Sequence, residues 1–256
     1  MEGLELGAFM VSACLFGILL FHPASPAVRA IPNPDLRRLL IGIAMGLTAI
    51  AIIYSPWGKR SGAHFNPSVT LTFFRLGKVS KWDAVFYPAA QIVGSVLGVG
   101  SVALFARSLL QTPEVNYVAT IPGKYGLGVA FAGEFVIAFL QMTMVLHATS
   151  REKIARYTGL FAGTLVATYI TLEGPLSGMS MNPARTFGSA FVSQMWTGLW
   201  IYFSAPVLAM LLAAEVFKFT RQSTACAKLH HQNATRCIFC EFQQWKAEAG
   251  QVAAAS

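Results

Sequence analysis

Two Asn-Pro pairs stand in matching surroundings, one in each half of the chain. Residues 61–70 aligned with residues 177–186 are identical at Ser, Gly, Asn, Pro and Thr. Asn is a preferred helix N-cap and Pro a preferred first helical residue, so the pairs predict helices that begin at Pro67 and Pro183. An Asn that caps with its oxygen keeps its amide donors free. The pairs therefore predict a site for water or another neutral hydrogen-bonding molecule. The alternative is that they merely cap two surface turns.

The composition predicts a membrane protein. Charged residues make up 12% of the chain, about half the roughly 25% typical of soluble proteins. Hydrophobic residues make up 55%, and the mean hydropathy is +0.55. So few charges cannot cover a water-exposed surface, which also excludes a disordered chain, a coiled coil and a disulfide-rich secreted scaffold. The net charge of +8 does not indicate nucleic-acid binding, because the basic residues lie between apolar runs.

Charge-poor runs predict six membrane-spanning helices, each near the length of about 20 apolar residues that a span needs. They are expected over residues 4–22, 37–55, 84–106, 126–148, 155–174 and 197–219. The acidic residues that open the first run favour a span over a signal peptide. A helix from Pro67 to Gly77 would extend about 15 Å, half of a hydrocarbon core, and so predicts a re-entrant half-helix. The predicted fold class is an all-α membrane protein with six transmembrane helices and two re-entrant half-helices.

The predicted elements form an inverted repeat. Each half, about residues 1–110 and 125–219, has helix, helix, half-helix and helix, and residues 220–256 form a polar C-terminal tail. Three spans per half insert the two halves in opposite directions, an arrangement that places a binding site at the midplane between broken helices. Thirteen Lys and Arg residues fall on the side of the termini and six on the other, which predicts cytoplasmic termini. The plasma membrane is the default location.

Residues 62–70 and 178–188 resemble the two signature loops of the aquaporin, or major intrinsic protein, family of water and glycerol channels. The resemblance extends over about residues 4–219. It implies a right-handed helix bundle in the lipid bilayer with one pore per subunit, assembled as a homotetramer. It also implies that the following residues form the pore midpoint: Asn66, Pro67, Ser68, Asn182, Pro183 and Ala184. Ser68 departs from the family, which usually has Ala at this position.

The same resemblance implies a selectivity filter composed of Met45, Ile170, Met179 and Arg185. Arg185 would donate hydrogen bonds and repel cations, although an arginine that only braces the loop is the alternative. The other three residues are apolar and match neither the aromatic and histidine of water-selective members nor the two aromatics and glycine of glycerol facilitators. Thr186, Ala190 and the aromatic residues in 200–203 are more typical of water channels. We expect a passive channel for water, with glycerol or another small uncharged solute as the alternative.

Glu5 and Glu134 lie inside predicted spans, where an ionisable group is costly. The resemblance implies that they brace the re-entrant loops by accepting backbone hydrogen bonds, whereas a secondary transporter would use them as proton relays. Their matched positions favour bracing. His64, beside the first cap, is expected to line or support the cytoplasmic vestibule. No enzyme motif is found in the sequence, and the remaining alternatives are an ion-coupled transporter and a membrane scaffold with a closed pore.

The C-terminal tail contains three of the four cysteines and two of the five histidines. C-x-x-C with nearby His suits tetrahedral zinc, and the candidate ligands are Cys226, His230, His231, Cys237 and Cys240. One C-x-x-C is also compatible with an amphipathic tail that has reduced cytosolic thiols. We therefore expect no cofactor and no nucleic-acid partner, with tail zinc as the alternative.

Overall fold

The computed structural model describes residues 1–220, 222–224, 226–231 and 236–255, with side chains described through Glu248. This part of the chain is helical and contains no strand. The α-helices are α1 (Glu2–Phe21), α2 (Pro26–Ala30), α3 (Pro34–Tyr54), α4 (Pro56–Ser61), α5 (Pro67–Arg75), α6 (Lys81–Leu110), α7 (Leu127–Thr149), α8 (Glu152–Ala155), α9 (Thr158–Leu172), α10 (Gly174–Ser177), α11 (Pro183–Ser193), α12 (Leu199–Phe219) and α13 (Ile238–Ala255). A single 3₁₀ turn covers Asn116–Val118.

Among the described helices, five are long and apolar enough to cross a membrane, namely α1, α3, α6, α7 and α12. The remaining predicted span, residues 155–174, contains the shorter apolar helix α9, which has 15 residues. The helix begins three residues later and ends two residues earlier than the approximate span predicted from the sequence. Tyr157, with ψ near 1°, precedes the helix as its non-helical N-cap, and Pro175 belongs to the first turn of the separate helix α10. Because Pro lacks an N–H group and its ring clashes with the preceding turn, α9 cannot continue through it.

The two halves of the inverted repeat are interleaved. Within each half the first and last helices pack together, α1 on α6 and α7 on α12. Each half-helix packs against the last helix of the other half, α5 on α12 and α11 on α6. Neither half-helix therefore has all its packing partners in its own half. The position of each Asn cap depends on both halves of the chain.

The backbones of the two halves approach each other closely where α3 crosses α9. A Cβ atom added at Gly46 would lie 2.5 Å from the Gly163 carbonyl oxygen, and one added at Gly163 would lie 2.5 Å from the Gly46 carbonyl oxygen. No side chain fits between the two backbones at this point. Small residues that allow such a close approach are typical of helix packing in membranes. We call this contact the α3–α9 seam.

Candidate pore

Both half-helices begin at their predicted residues. Asn66 caps α5, and its Oδ1 accepts a hydrogen bond from the Ser68 amide at 2.9 Å. Asn182 caps α11, and its Oδ1 accepts from the amides of Ala184 and Arg185, both at 3.1 Å. In each case Pro occupies the first helical position, where its missing N–H group would have no partner. The prediction of helices that start at Pro67 and Pro183 is confirmed.

The two caps also join the half-helices to each other. Asn66 Nδ2 donates to the Met181 carbonyl oxygen and Asn182 Nδ2 donates to the Phe65 carbonyl oxygen, both at 2.7 Å. Each bond uses one of the two hydrogens on a side-chain amide. Because both Asn residues line the same cavity, the second hydrogen of each is available to a molecule inside it. The two positive helix ends meet at this point.

The loops that lead into the half-helices have matching backbone conformations. Gly62 and Gly178, with φ of 107° and 80°, end the short helices α4 and α10 in the left-handed region. Left-handed φ values recur at two further pairs of equivalent positions, namely Ala63 with Met179 and Phe65 with Met181. Non-glycine residues rarely adopt this conformation, so both loops need external bonds to hold it.

In the second loop, Glu134 accepts three of these external bonds. Its carboxyl group is fully buried and accepts from Ser177 Oγ and from the amides of Ser180 and Met181, each at 2.7 Å. This is the bracing that the resemblance implies for Glu134.

In the first loop, two glutamates accept the equivalent hydrogen bonds. Glu5 accepts from Ser61 Oγ at 2.7 Å, whereas the amides of His64 and Phe65 donate to Glu2 at 3.0 and 2.7 Å. The expectation that Glu5 accepts backbone hydrogen bonds is therefore corrected, because Glu2 has that role among the described residues. Glu2 and Glu5 lie three residues apart on one face of α1, and this spacing is the signal in the sequence that could have revealed the pair.

A cavity of about 280 Å³ passes both Asn caps. Four residues of α3, spaced by four, line it along one wall, and this stripe rises about 18 Å along the helix. They are Ile41, Met45, Ala49 and Ile53. All four predicted filter residues, Met45, Ile170, Met179 and Arg185, line this cavity, as does His64. Pro67, Ser68, Pro183 and Ala184 are buried and do not line it.

The guanidinium group of Arg185 supplies a free donor to the cavity. Within the described part of the chain, its Nη1 atom has no hydrogen-bond partner and the residue forms no salt bridge. Its side chain makes no hydrogen bond to the loop there, whereas its backbone amide joins the Asn182 cap. An arginine that only braced the loop would spend its donors on loop carbonyls. The arrangement favours a role toward molecules in the cavity.

His64 lies at the end of the cavity that the C-terminal tail covers. The residue is 2% exposed, and its ring lies between Phe73 and Phe239, at centroid distances of 5.2 and 5.7 Å. Its Nε2 donates to the Ala227 carbonyl oxygen at 2.7 Å. Leu229 lines the cavity at the same end, and its amide donates to the Gly62 carbonyl oxygen at 3.1 Å. The tail therefore lies directly against the pore, a contact that sequence reasoning missed.

Four of the five tail candidates for metal binding come together. The ligand atoms of Cys226, His231, Cys237 and Cys240 all lie within 4.8 Å of one another. The ring of His230 instead packs edge-on against Tyr54, at a centroid distance of 4.9 Å. The hydrogen bond between the Cys226 and Cys237 thiols holds the pKa of Cys237 well below its usual range. A thiol that ionises readily is a better metal ligand than a neutral one.

Comparison with known proteins places this arrangement. The family model for the major intrinsic protein, MIP, matches residues 8–217. A probable aquaporin NIP-type from Nicotiana alata is 36% identical over 185 residues, 72% of this chain and 66% of the relative. Nodulin-26 from Glycine max is 33% identical over 182 residues, 71% of this chain and 65% of the relative. The matches thus span slightly less than two thirds of these relatives.

A solved structure shares the fold. The X-ray structure of the aquaglyceroporin from Plasmodium falciparum has a TM-score of 0.65 at 18% identity, and the match covers 84% of this chain and 92% of that chain. The predicted all-α architecture is confirmed.

Proposed function

This chain belongs to the major intrinsic protein family and is an integral membrane protein, and we propose that it is a passive channel for water and small uncharged solutes. The observation that carries the proposal is the meeting of two Asn-capped helix ends beside one cavity. Each cap presents an unused amide hydrogen there. A neutral molecule with an accepting oxygen can bind both donors. Unlike an ion, it does not have to lose a tightly bound hydration shell in order to do so.

The charges around the cavity oppose the passage of cations. Two positive helix ends face its midpoint, and the guanidinium group of Arg185 lines it. A water molecule whose oxygen accepts from both Asn66 and Asn182 directs its own hydrogens away from the midpoint. Such a molecule cannot pass a proton along a continuous donor chain. We therefore expect the channel to exclude ions and protons.

The filter supports passage of solutes larger than water. Three of its four side chains, Met45, Ile170 and Met179, are apolar, so the CH groups of a polyol can contact them while its hydroxyls reach Arg185. Methionine is unbranched and adapts to irregular shapes. The proposal therefore includes glycerol as a permeant.

The setting of the channel is also part of the proposal. The excess of Lys and Arg on the side of the termini supports cytoplasmic termini in the plasma membrane. Large apolar side chains point outward, including Leu97, Leu104 and Phe105, which are 65%, 82% and 92% exposed. Lipid or neighbouring subunits of a homotetramer would cover such a surface. The proposal assigns the chain transport and no catalysis.

Stopped-flow light scattering on proteoliposomes tests the proposal. After osmotic shock with an impermeant osmolyte, we expect vesicles to shrink at least tenfold faster than empty ones, and in glycerol we expect them to re-swell. Met179→Trp should fill the filter and suppress both signals, whereas the matched control Leu104→Trp, on the exposed face, should suppress neither. Shrinkage no faster than in empty vesicles would contradict the open channel. Shrinkage without re-swelling would restrict it to water.

A further inference from the structure

Four ligand atoms in the C-terminal tail have the spacing of a closed metal site. Cys226 Sγ lies 3.4 Å from Cys237 Sγ, and Cys240 Sγ lies 3.3 Å from His231 Nε2. All four atoms lie within 4.8 Å of one another. Tetrahedral zinc with Zn–S bonds of about 2.3 Å and Zn–N bonds of about 2.0–2.1 Å would hold its ligand atoms roughly 3.6–3.8 Å apart. The observed separations bracket these values.

The cluster leaves out one cysteine and one neighbouring histidine. The remaining cysteine, Cys14, is buried in α1, and the neighbouring histidine, His230, faces Tyr54. Two separate segments supply the ligands, residues 226–231 and residues 237–240, which include Cys237 and the first turn of α13. A metal ion that binds ligands from both segments would hold the two segments together. Three cysteines and one histidine fill all four positions of a structural zinc site.

A buried positive charge next to the cluster lacks a carboxylate partner. Lys228 is 4% exposed, and its Nζ donates to the Lys59 carbonyl oxygen at 2.7 Å. In the described part of the chain it forms no salt bridge. Zinc bound by three thiolates and a neutral imidazole has one net negative charge, which would balance this ammonium group.

The same segment contacts the pore. Between Cys226 and His231 lie Ala227, whose carbonyl oxygen accepts from His64 Nε2, and Leu229, which lines the cavity. Between Cys237 and Cys240 lies Phe239, whose ring stacks on His64. In each of the two segments, a residue between the two ligands therefore contacts the pore.

We propose that Cys226, His231, Cys237 and Cys240 bind one zinc ion, which fastens the tail across the inner mouth of the pore. The soft thiolates select zinc over magnesium or calcium, which prefer oxygen ligands. With four protein ligands the ion has no open position for a substrate, so its role is structural. The site concerns the tail and does not depend on what passes through the channel.

Metal analysis of the full-length protein tests the site. After purification in the absence of added metal and of a histidine tag, we expect about one zinc ion per chain by elemental mass spectrometry. Cys237→Ser and His231→Asn should each reduce the zinc content at least fivefold. The matched controls Cys14→Ser and His230→Asn should retain it. Cobalt in place of zinc should give the intense visible bands of tetrahedral thiolate coordination in wild type and lose them in Cys237→Ser.

Three results would overturn the site: wild-type protein without zinc, equal zinc in wild type and Cys237→Ser, or a Cys226–Cys237 disulfide in freshly isolated protein by intact-mass analysis. Limited proteolysis tests the fastening of the tail. Removal of zinc by a chelator should accelerate cleavage within residues 226–240 at least tenfold, and restored zinc should reverse this effect. Equal cleavage rates with and without the metal would overturn the fastening. None of these measurements uses permeability, so their failure is distinguishable from failure of the proposed channel.

Discussion

The first and second re-entrant loops have the same backbone shape but different supports. Glu134 accepts three hydrogen bonds from the second loop, whereas Glu2 and Glu5 divide the equivalent three bonds of the first. Glu2 also accepts from Gln91 Nε2 at 2.7 Å, and Glu5 Oε2 has no partner within the described residues. Each loop therefore requires carboxyl oxygens at fixed places, and these oxygens can come from one residue or from two. The two halves therefore differ in how much depends on a single side chain.

The largest expected effect is that of Glu134→Ala. Loss of the carboxyl group leaves three buried donors without an acceptor, and each costs about 1–3 kcal/mol. We expect the free energy of unfolding in detergent to fall by about 4 kcal/mol and water permeability to be lost. The control is Glu215→Ala, at a half-exposed ion pair with Arg75, with an expected cost below about 1 kcal/mol. Similar losses in both variants would contradict the role of Glu134.

Smaller effects are expected in the first loop, where Glu2→Ala should cost more than Glu5→Ala. Glu2 accepts from two backbone amides and from Gln91, whereas Glu5 accepts from one hydroxyl. We expect losses of about 3 and about 1 kcal/mol in the same unfolding experiment. The double variant should approach the loss of Glu134→Ala, although neighbouring sites need not be additive. Glu5→Ala as damaging as Glu2→Ala would show that the division of bonds is wrong.

The two Asn caps also differ in the number of helix amides that they bind. Asn182 accepts from two helix amides and Asn66 from one, so Asn182→Ala should cost about 2 kcal/mol and Asn66→Ala about 1 kcal/mol. Both variants also lose a cross-loop bond and a donor to the cavity, and we expect water permeability to fall in both. Thermal unfolding and stopped-flow scattering on the same preparations measure the two effects. The reverse order of stability would contradict the observed capping geometry.

The smallest effect is expected where the two loops differ by one hydroxyl group. Ser68 Oγ is buried and has no hydrogen-bond partner among the described residues, whereas Ala184 is its equivalent in the second loop. Ser68→Ala should leave stability unchanged or raise it by up to about 1 kcal/mol, because an unpaired buried polar group is unfavourable. Ala184→Ser should lower stability by about 1 kcal/mol, and permeability should stay within twofold in both. A many-fold loss in Ser68→Ala would show that this hydroxyl serves the permeant.

Local chemistry explains what the sequence could predict. Cap preference and hydropathy act within a few residues, so the Asn-Pro helix starts and the order of the elements were accessible. The four filter residues that the family resemblance implies all line one cavity. The end of α9 coincides with the end of its uncharged run, because Leu172 is followed by Glu173, Gly174 and Pro175.

Long-range contacts explain what the sequence could not predict. Glu2 has a role only because α1 lies beside a loop 62 residues away in sequence. In the tail, His230 and His231 are neighbours in the sequence, yet His230 packs against Tyr54 whereas His231 joins the cysteine cluster. The contact between Leu229 and Gly62 joins segments that no local pattern relates.

The α3–α9 seam gives the filter a rigid frame. Met45 precedes Gly46 directly, and Ile170 lies on α9 two turns beyond Gly163. Two of the four predicted filter residues therefore lie on helices whose backbones touch. The side chains of the predicted filter are adaptable, but contacts between main-chain atoms set the distance between α3 and α9. A single methyl group added at either glycine would collide with main-chain atoms of the opposite helix and force the two helices apart, without altering any residue that lines the cavity. The spacing of the two helices that line the cavity therefore depends on a contact that lies outside the cavity.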